Sequence, residues 1–214
     1  MAKFLNAVGK ETLARMISSI QENKVYLGDI DGLIGDGDHG MNMNKGFTLY
    51  QEQLGDHEVA FTEGLFDLGQ VLLNRIGGSM GPIYGTLFSD MSGKADGTEY
   101  IDLPLFIGML EAGLTGLYEI IDARPGDKTL VDALYPAIES LKSSLRSGKG
   151  FAQALTEMKD AANKGRDSTV DMVAKYGRSA RLGERSRGVP DAGATSCSII
   201  LSAMADGIVS ALKE

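Results

Sequence analysis

The feature that most limits how this chain can fold is a helical rhythm of apolar residues. Phe61, Leu65, Leu68, Leu72 and Ile76 recur at steps of three and four until Gly77-Gly78 stops the run. Met43, Phe47, Tyr50 and Leu54 repeat the pattern, and Gly55 ends it. Phe4, Leu5, Val8, Leu13, Met16, Ile17 and Ile20 form an earlier stripe. Residues 80–92 and 104–122 predict a fourth and a fifth helix, the latter with Pro104 near its first turn. Asp127 caps a sixth that reaches Ser147-Gly148, and Pro136 inside it predicts a kink. Segments 150–175 and 193–213 complete eight helices. SerCysSerIleIle at 196–200 reads as a strand in isolation, but Leu201, Met204, Ile208 and Leu212 favour helix. No hairpin pattern and no alternation of strands with helices is present. The short connections suit antiparallel helix neighbours, and no composition break divides residues 1–214 into two domains.

The balance of residues narrows the partners. The chain is 43% hydrophobic and 23% charged, ordinary values for a globular protein. A formal charge of −8 argues against nucleic acid. Cys197 is the lone cysteine, which excludes an intrachain disulfide and suits a reducing compartment. No stretch reaches 18 consecutive apolar residues, and the N-terminal stretch MAKFLNAVGKETLARM holds no long apolar core. The expectation is a soluble cytoplasmic protein with no membrane partner.

Between the first two helices lies GDIDGLIGDGDHGMNMNKGF, residues 28–47. Gly35, Gly37 and Gly40 fit the dinucleotide fingerprint G-x-G-x-x-G. Asp36 and Asp38 fill x positions, however, and would repel a pyrophosphate, and no strand precedes the motif. A calcium loop fails too. Started at Asp29, its fifth position is Leu33 and its twelfth Gly40; started at Asp36, they are Gly40 and Phe47. What remains is a hard-cation site of another shape. Asp31, Asp36 and Asp38 can converge because the glycines permit tight bends. Carboxylates brought together raise each other's pKa. Mg²⁺ relieves that repulsion and keeps open positions for phosphate oxygens. Asp29 lies one step outside this frame and reads as a solvated residue. His39 and Asn42 share a helix face if a helix begins near Gly40, and for His39 alone helix capping explains the residue as well as a site does.

Three further clusters stand out. IleGlyGlySerMetGlyProIleTyrGlyThr, 76–86, combines close-approach glycines with the Ser79 and Thr86 hydroxyls. It opens a helix whose free N–H groups favour an anion, although taken alone the motif is better explained by close helix packing. Residues 177–192 are nearly devoid of apolar side chains and carry Arg178, Arg181, Arg185 and Arg187. Arginine's fork suits phosphate, while two of the four read as solvated. Asp191 through Thr195 then reads as a capped helix start. ArgProGlyAspLysThr, 124–129, is accounted for as a turn with a cap. His57 reads as a surface residue. No P-loop, kinase or zinc motif is present.

Taken in order, Asp31, GDGDHGMNMNKGF, GGSMGPIYGT, RPGDKT and GRSARLGERSRGVPDAGATS span nearly the full chain. Together they closely resemble the nucleotide-binding L subunit of phosphotransferase-dependent dihydroxyacetone kinases. The same domain forms the C-terminal half of ATP-dependent dihydroxyacetone kinases. The resemblance implies a barrel-like bundle of eight antiparallel helices with the nucleotide at one end. It implies that Asp31, Asp36 and Asp38 hold two Mg²⁺ ions that bridge the nucleotide phosphates. His39, Gly40, Met41 and Asn42 match nucleotide contacts. Gly78, Ser79 and Met80 match the phosphate-side turn, with Thr86 as a further hydroxyl, and Leu130 matches a residue beside the base. Arg178 matches the lid, and Asp191, Ala192 and Gly193 match the closing edge of the site. Many members have Ala-Ser in place of Ser79-Met80 and Pro in place of Ala192. Met80 lacks a hydroxyl, so a phosphate contact there falls to backbone N–H, Ser79 or Thr86.

The implied activity is phosphoryl transfer, with ADP held tightly as a coenzyme. A phosphohistidine carrier, the M subunit, would phosphorylate it in place. The phosphoryl group would then pass to dihydroxyacetone, or a related hydroxyketone, on a separate K subunit. Asp31, Asp36 and Asp38 with Arg178 would carry the catalysis, through positioning and charge neutralisation. Two other readings stand beside this one: a subunit that exchanges nucleotide freely with bulk ATP, and a non-catalytic nucleotide-sensing module. The residues name neither the hydroxyketone nor the oligomeric state, a homodimer included.

Overall fold

A computed structural model describes residues 2–213. It contains eight α-helices: α1 (Lys10–Ile34), α2 (His39–Leu54), α3 (Phe61–Arg75), α4 (Met80–Lys94), α5 (Leu103–Ile120), α6 (Val131–Arg146), α7 (Phe151–Ser168) and α8 (Ala192–Ala211). Each helix packs on its sequence neighbour, and α8 closes the ring on α1. The result is the all-α barrel-like bundle expected. Its core is continuous: Met16, Ile20, Phe47, Leu68, Phe88, Leu110, Leu134, Met158 and Met204 are all essentially inaccessible. Burial of such side chains stabilises by about 1.5–3 kcal/mol each. The helix α8 is apolar nearly all round and has buried residues on every face. Both α5 and α8 are long and apolar enough to cross a membrane, and 72% of the α8 window is buried among the other helices.

Glycines set the close crossings. A Cβ on Gly40 would lie 1.9 Å from the Lys24 carbonyl oxygen, where α2 meets α1. One on Gly165 would lie 2.0 Å from the Asp132 carbonyl, where α7 meets α6. The second contact answers the expectation at Pro136. Proline removes the N–H that would have bonded the Asp132 carbonyl, yet α6 continues through it as one helix. Gly165 brings the backbone of α7 against that carbonyl.

The alternation of direction has one consequence for function. Connections α1–α2, α3–α4, α5–α6 and α7–α8 meet at one end of the ring. The other end holds the remaining turns and a small antiparallel ladder of β1 (Lys3–Leu5) and β2 (Tyr100–Asp102). Lys3 also bridges Lys213.

Several sequence expectations change. Phe4 and Leu5 belong to β1, and Asn6–Val8 form a 3-10 turn, so the first helix starts only at Lys10. That helix extends to Ile34 and takes in Asp29 and Asp31, which leaves a shorter acidic loop than the glycines imply. Asp127 does not cap α6: residue 130 takes that position without a side-chain bond. The Asp127 carboxylate instead accepts from the Arg124 N–H at 2.8 Å. Asp132, in the first turn of α6, accepts from the N–H groups of Gly126 and Thr129 and so organises the turn. The seventh helix ends at Ser168, followed by a 3-10 turn at Thr169–Asp171.

Candidate functional site

At the end where the four connections meet lies a cavity of about 460 Å³. That is within the range of about 300–1,000 Å³ typical of small-molecule sites. Its lining divides by element. The α1–α2 connection supplies Asp31, Asp36, Asp38 and His39, and the start of α4 supplies Ser79 and Met80. The α5–α6 connection supplies an apolar wall of Ile120, Ile121, Ala123 and Leu130, interrupted by the polar Asp122, Lys128 and Thr129. The α7–α8 connection supplies Tyr176, Arg178, Asp191, Ala192 and Gly193.

The acidic corner follows from local backbone. Asp31 sits in the last turn of α1, and Gly35 passes so close that a Cβ there would lie 2.4 Å from its carboxylate. Gly37 turns the chain at φ +76°, a region open to glycine. Asp38 then stands at the N-cap of α2 without bonding the helix, so its carboxylate is free to face inward. Carboxylate oxygens of Asp31, Asp36 and Asp38 all lie within 4.8 Å of one another. Such an all-oxygen set fits a hard divalent cation such as Mg²⁺. Burial, then the neighbouring Asp36, push the Asp38 carboxyl above its usual range. Arg178 pairs with Asp36, and its guanidinium is 4.0 Å from Asp38. Asp29 is exposed on α1 and outside the cluster.

Behind the acids is a buried hydrogen-bond chain. The ring of His39 meets the Ser196 hydroxyl at 2.8 Å, and Ser196 meets the Tyr84 hydroxyl at 2.6 Å. Tyr84 donates to the Gly193 carbonyl at 3.2 Å. Burial lowers the His39 pKa to about 4, against the pull of Asp31. The imidazole is therefore neutral and locked in the cavity wall. The chain crosses from α2 to α8 to α4, so it fixes three walls against one another.

The remaining sequence candidates separate cleanly. Gly78 adopts φ +72° in open space before α4, whereas Gly81 is a packing residue whose Cβ would strike the Ile76 carbonyl at 2.5 Å. Ser79 caps α4 without a side-chain bond, which leaves its hydroxyl and the first helical N–H groups available. The α8 start differs: the Asp191 carboxylate accepts from the Ala194 N–H at 2.7 Å and occupies the helix end. Burial raises the Asp191 pKa to about 7, with Asp132 raising it further and Lys128 opposing. Gly40, Met41, Asn42, Gly78 and Thr86 do not line the cavity. Gly40 serves the α1–α2 crossing, Met41 is 62% exposed, and Thr86 faces Gly116 of α5. Arg187 bonds Glu184 and the Asp171 carbonyl, while Arg181 and Arg185 are exposed and make no salt bridge among the described residues. His57 is exposed.

Sequence reasoning missed Tyr84, Lys128, Tyr176 and Ser196. For Ser196 a signal existed: Thr195, Ser196 and Ser198 cluster near the start of α8, and all three are buried. For Lys128 the signal was a lysine directly before a helix in a turn that needs no charge.

Comparison with known proteins identifies the family. A family model described as "DAK2 domain" matches residues 33–206. The PEP-dependent dihydroxyacetone kinase ADP-binding subunit DhaL of Escherichia coli K12 is 36% identical over 183 residues, covering 84% of this chain and 86% of that protein. The corresponding subunit of dihydroxyacetone kinase 1 of Listeria innocua is 36% identical over 186 residues, covering 86% and 88%. The crystal structure of the C. freundii dihydroxyacetone kinase in complex with AMP-PNP and Mg²⁺ superposes with a TM-score of 0.71 at 22% identity. The match covers 94% of this chain and 34% of that larger one, and it shows the shared fold. On the family match and these relatives, the chain belongs to the DAK2 domain family.

Proposed function

We propose that this chain is the ADP-binding subunit of a phosphotransferase-dependent dihydroxyacetone kinase, acting as one domain in the cytoplasm. The observation that carries the reading is a single cavity with three converging carboxylates at one side and an apolar wall at the other. A nucleoside diphosphate with its metal has that same division of polarity. The relatives named as ADP-binding subunits support the choice of nucleotide and of reaction.

Asp31, Asp36 and Asp38 hold two Mg²⁺ ions in this reading. Bound there, such ions would supply positive charge against the phosphates during transfer. The free N–H groups and the Ser79 hydroxyl at the start of α4 receive phosphate oxygens. Ile120, Ile121 and Leu130 cover the base. His39, neutral and fixed by Ser196, holds the wall behind the phosphates rather than exchanging protons. Arg178 leaves Asp36 when the carboxylates take up metal and brings its charge to the transferring group. The segment that bears it excludes water. ADP is retained tightly while a phosphohistidine carrier, the M subunit, donates a phosphoryl group to it. A K subunit presents dihydroxyacetone, or a related hydroxyketone, to receive that group.

The test is reconstitution. The chain carrying Mg·ADP is mixed with phosphorylated M subunit, K subunit and dihydroxyacetone. Dihydroxyacetone phosphate should form only when all are present, and ADP should stay with the chain through gel filtration. Equal turnover from free ATP, with ADP lost on the column, would support an exchanging kinase subunit instead.

A further inference from the structure

The turn Arg124–Thr129 looks ordinary in sequence, but Asp127 and Lys128 in it grip the α7–α8 connection from both sides. Lys128 is 1% exposed. Its ammonium donates to the Thr169 carbonyl at 2.7 Å and to the Val189 carbonyl at 2.6 Å. One side chain thus ties together points on either side of the lid. Asp127 grips the rising arm: its carboxylate pairs with Lys175 at 2.5 Å, and its carbonyl accepts from the Lys175 N–H at 3.2 Å. The neck is closed further by the Gly188 N–H to the Val170 carbonyl at 2.8 Å and the Asp191 N–H to the Thr169 hydroxyl at 2.9 Å.

Two details set Lys128 apart from a simple packing residue. It is the one non-glycine residue with positive φ among those described, at +62°. Such a conformation is unfavourable for a long side chain and persists only where the surroundings enforce it. Its ammonium also faces two carbonyls with no carboxylate bonded to it, an arrangement a neutral side chain of the same length cannot reproduce. Beyond the neck the lid is freer. Gly177 at φ +71° and Gly183 at φ +55° flank the short stretch that bears Arg178.

We propose that Lys128, with Asp127 beside it, is a positioning residue for nucleotide handling: it anchors the neck of the lid so that only the stretch between Gly177 and Gly183 moves, and Arg178 pivots over the carboxylate cluster. This rests on the nucleotide-site reading above. The turn also leads directly into Leu130 at the apolar wall, so the base pocket and the lid share one anchor. A lid without it would still be covalently present but would return to the cluster from many more conformations.

Hydrogen exchange of the intact protein tests this. In Lys128→Met, amides across residues 170–190 should exchange at least tenfold faster, while helices α2 to α4 keep their protection. Mg·ADP should still bind, with affinity reduced less than lid protection, but should no longer slow exchange around Arg178. Lys175→Gln, altering a side chain that is 64% exposed, should loosen the rising arm of the lid without threatening the fold. If Lys128→Met does not fold, the Lys175→Gln result decides. Unchanged lid exchange in the variants, or a uniform loss of protection across all helices, would overturn the proposal. Failure of the unaltered chain to bind Mg·ADP would instead count against the nucleotide-site reading.

Discussion

At Asp36 charge matters more than shape. Asp36→Asn keeps the side chain's size and removes one ligand charge from a cluster whose oxygens lie within 4.8 Å of one another. Its partner Arg178 is 59% exposed, so loss of that pair costs at most about 1 kcal/mol. The account predicts a fold of near-normal stability that no longer retains Mg·ADP; stoichiometric ADP in the purified variant would remove Asp36 from the site. Asp191 gives a pH signature. Its pKa is raised to about 7 by burial, against an unfolded value of about 3.9. The native state therefore binds its proton more tightly than the unfolded state does. The resulting contribution favours folding at low pH and is lost as pH rises from about 4 through about 7. Asp191→Asn retains an acceptor for the Ala194 N–H and removes the charge. Urea unfolding of the ligand-free variant should show a flatter decline in stability over that window than the unaltered chain. Parallel pH profiles would mean that Asp191 is not held protonated.

Helices and lid obey the packing written into their glycines. Gly165→Ala drives a methyl into the Asp132 carbonyl and should destabilise by about 1–3 kcal/mol in thermal unfolding. Gly93→Ala, in α4 with nothing within 4 Å, should instead stabilise by about 0.5–1 kcal/mol. The same sign for both would show that the α6–α7 crossing is looser than described. In the lid, trypsin should cut the ligand-free protein first after Arg181, which is exposed and lies between Gly177 and Gly183, and last after Arg187, whose guanidinium bonds the neck. Mg·ADP should protect the Arg181 site, and equal cleavage there with and without ligand would reduce the segment to a solvated linker. The helices were legible because Phe61 to Ile76 and their counterparts repeat at helical spacing. The strand at Phe4 was not, since its partner Ile101 is far along the chain and a three-residue ladder carries no periodicity of its own. Asp127 misled because a Pro-Gly-Asp turn resembles a cap, while its carboxylate closes the turn on the Arg124 N–H and Asp132 organises the rest of the turn.

Across the whole molecule, the placement of the site was readable from connectivity. In a ring of antiparallel helices, alternate connections share an end, and each motif read from sequence lies on one of those connections. The acidic loop, the α4 start, the α5–α6 turn and the lid therefore converge without long-range information. Two features depended on contacts that no local pattern encodes. The Tyr84–Ser196 bond joins residues 112 apart, and the Lys128–Val189 bond joins residues 61 apart. Family membership and the structural match agree with the bundle itself.

The central claim is that the acidic corner binds the nucleotide through metal. Thermal unfolding with ADP, with Mg²⁺, with both, and with ADP in excess chelator tests it most directly. A ligand at a hundredfold excess over its Kd stabilises the native state by about 2.7 kcal/mol. The account predicts a rise in midpoint of that order with Mg²⁺ and ADP together and little from ADP in chelator, where three carboxylates face the phosphates unscreened. An equal rise from ADP with the metal removed would contradict it.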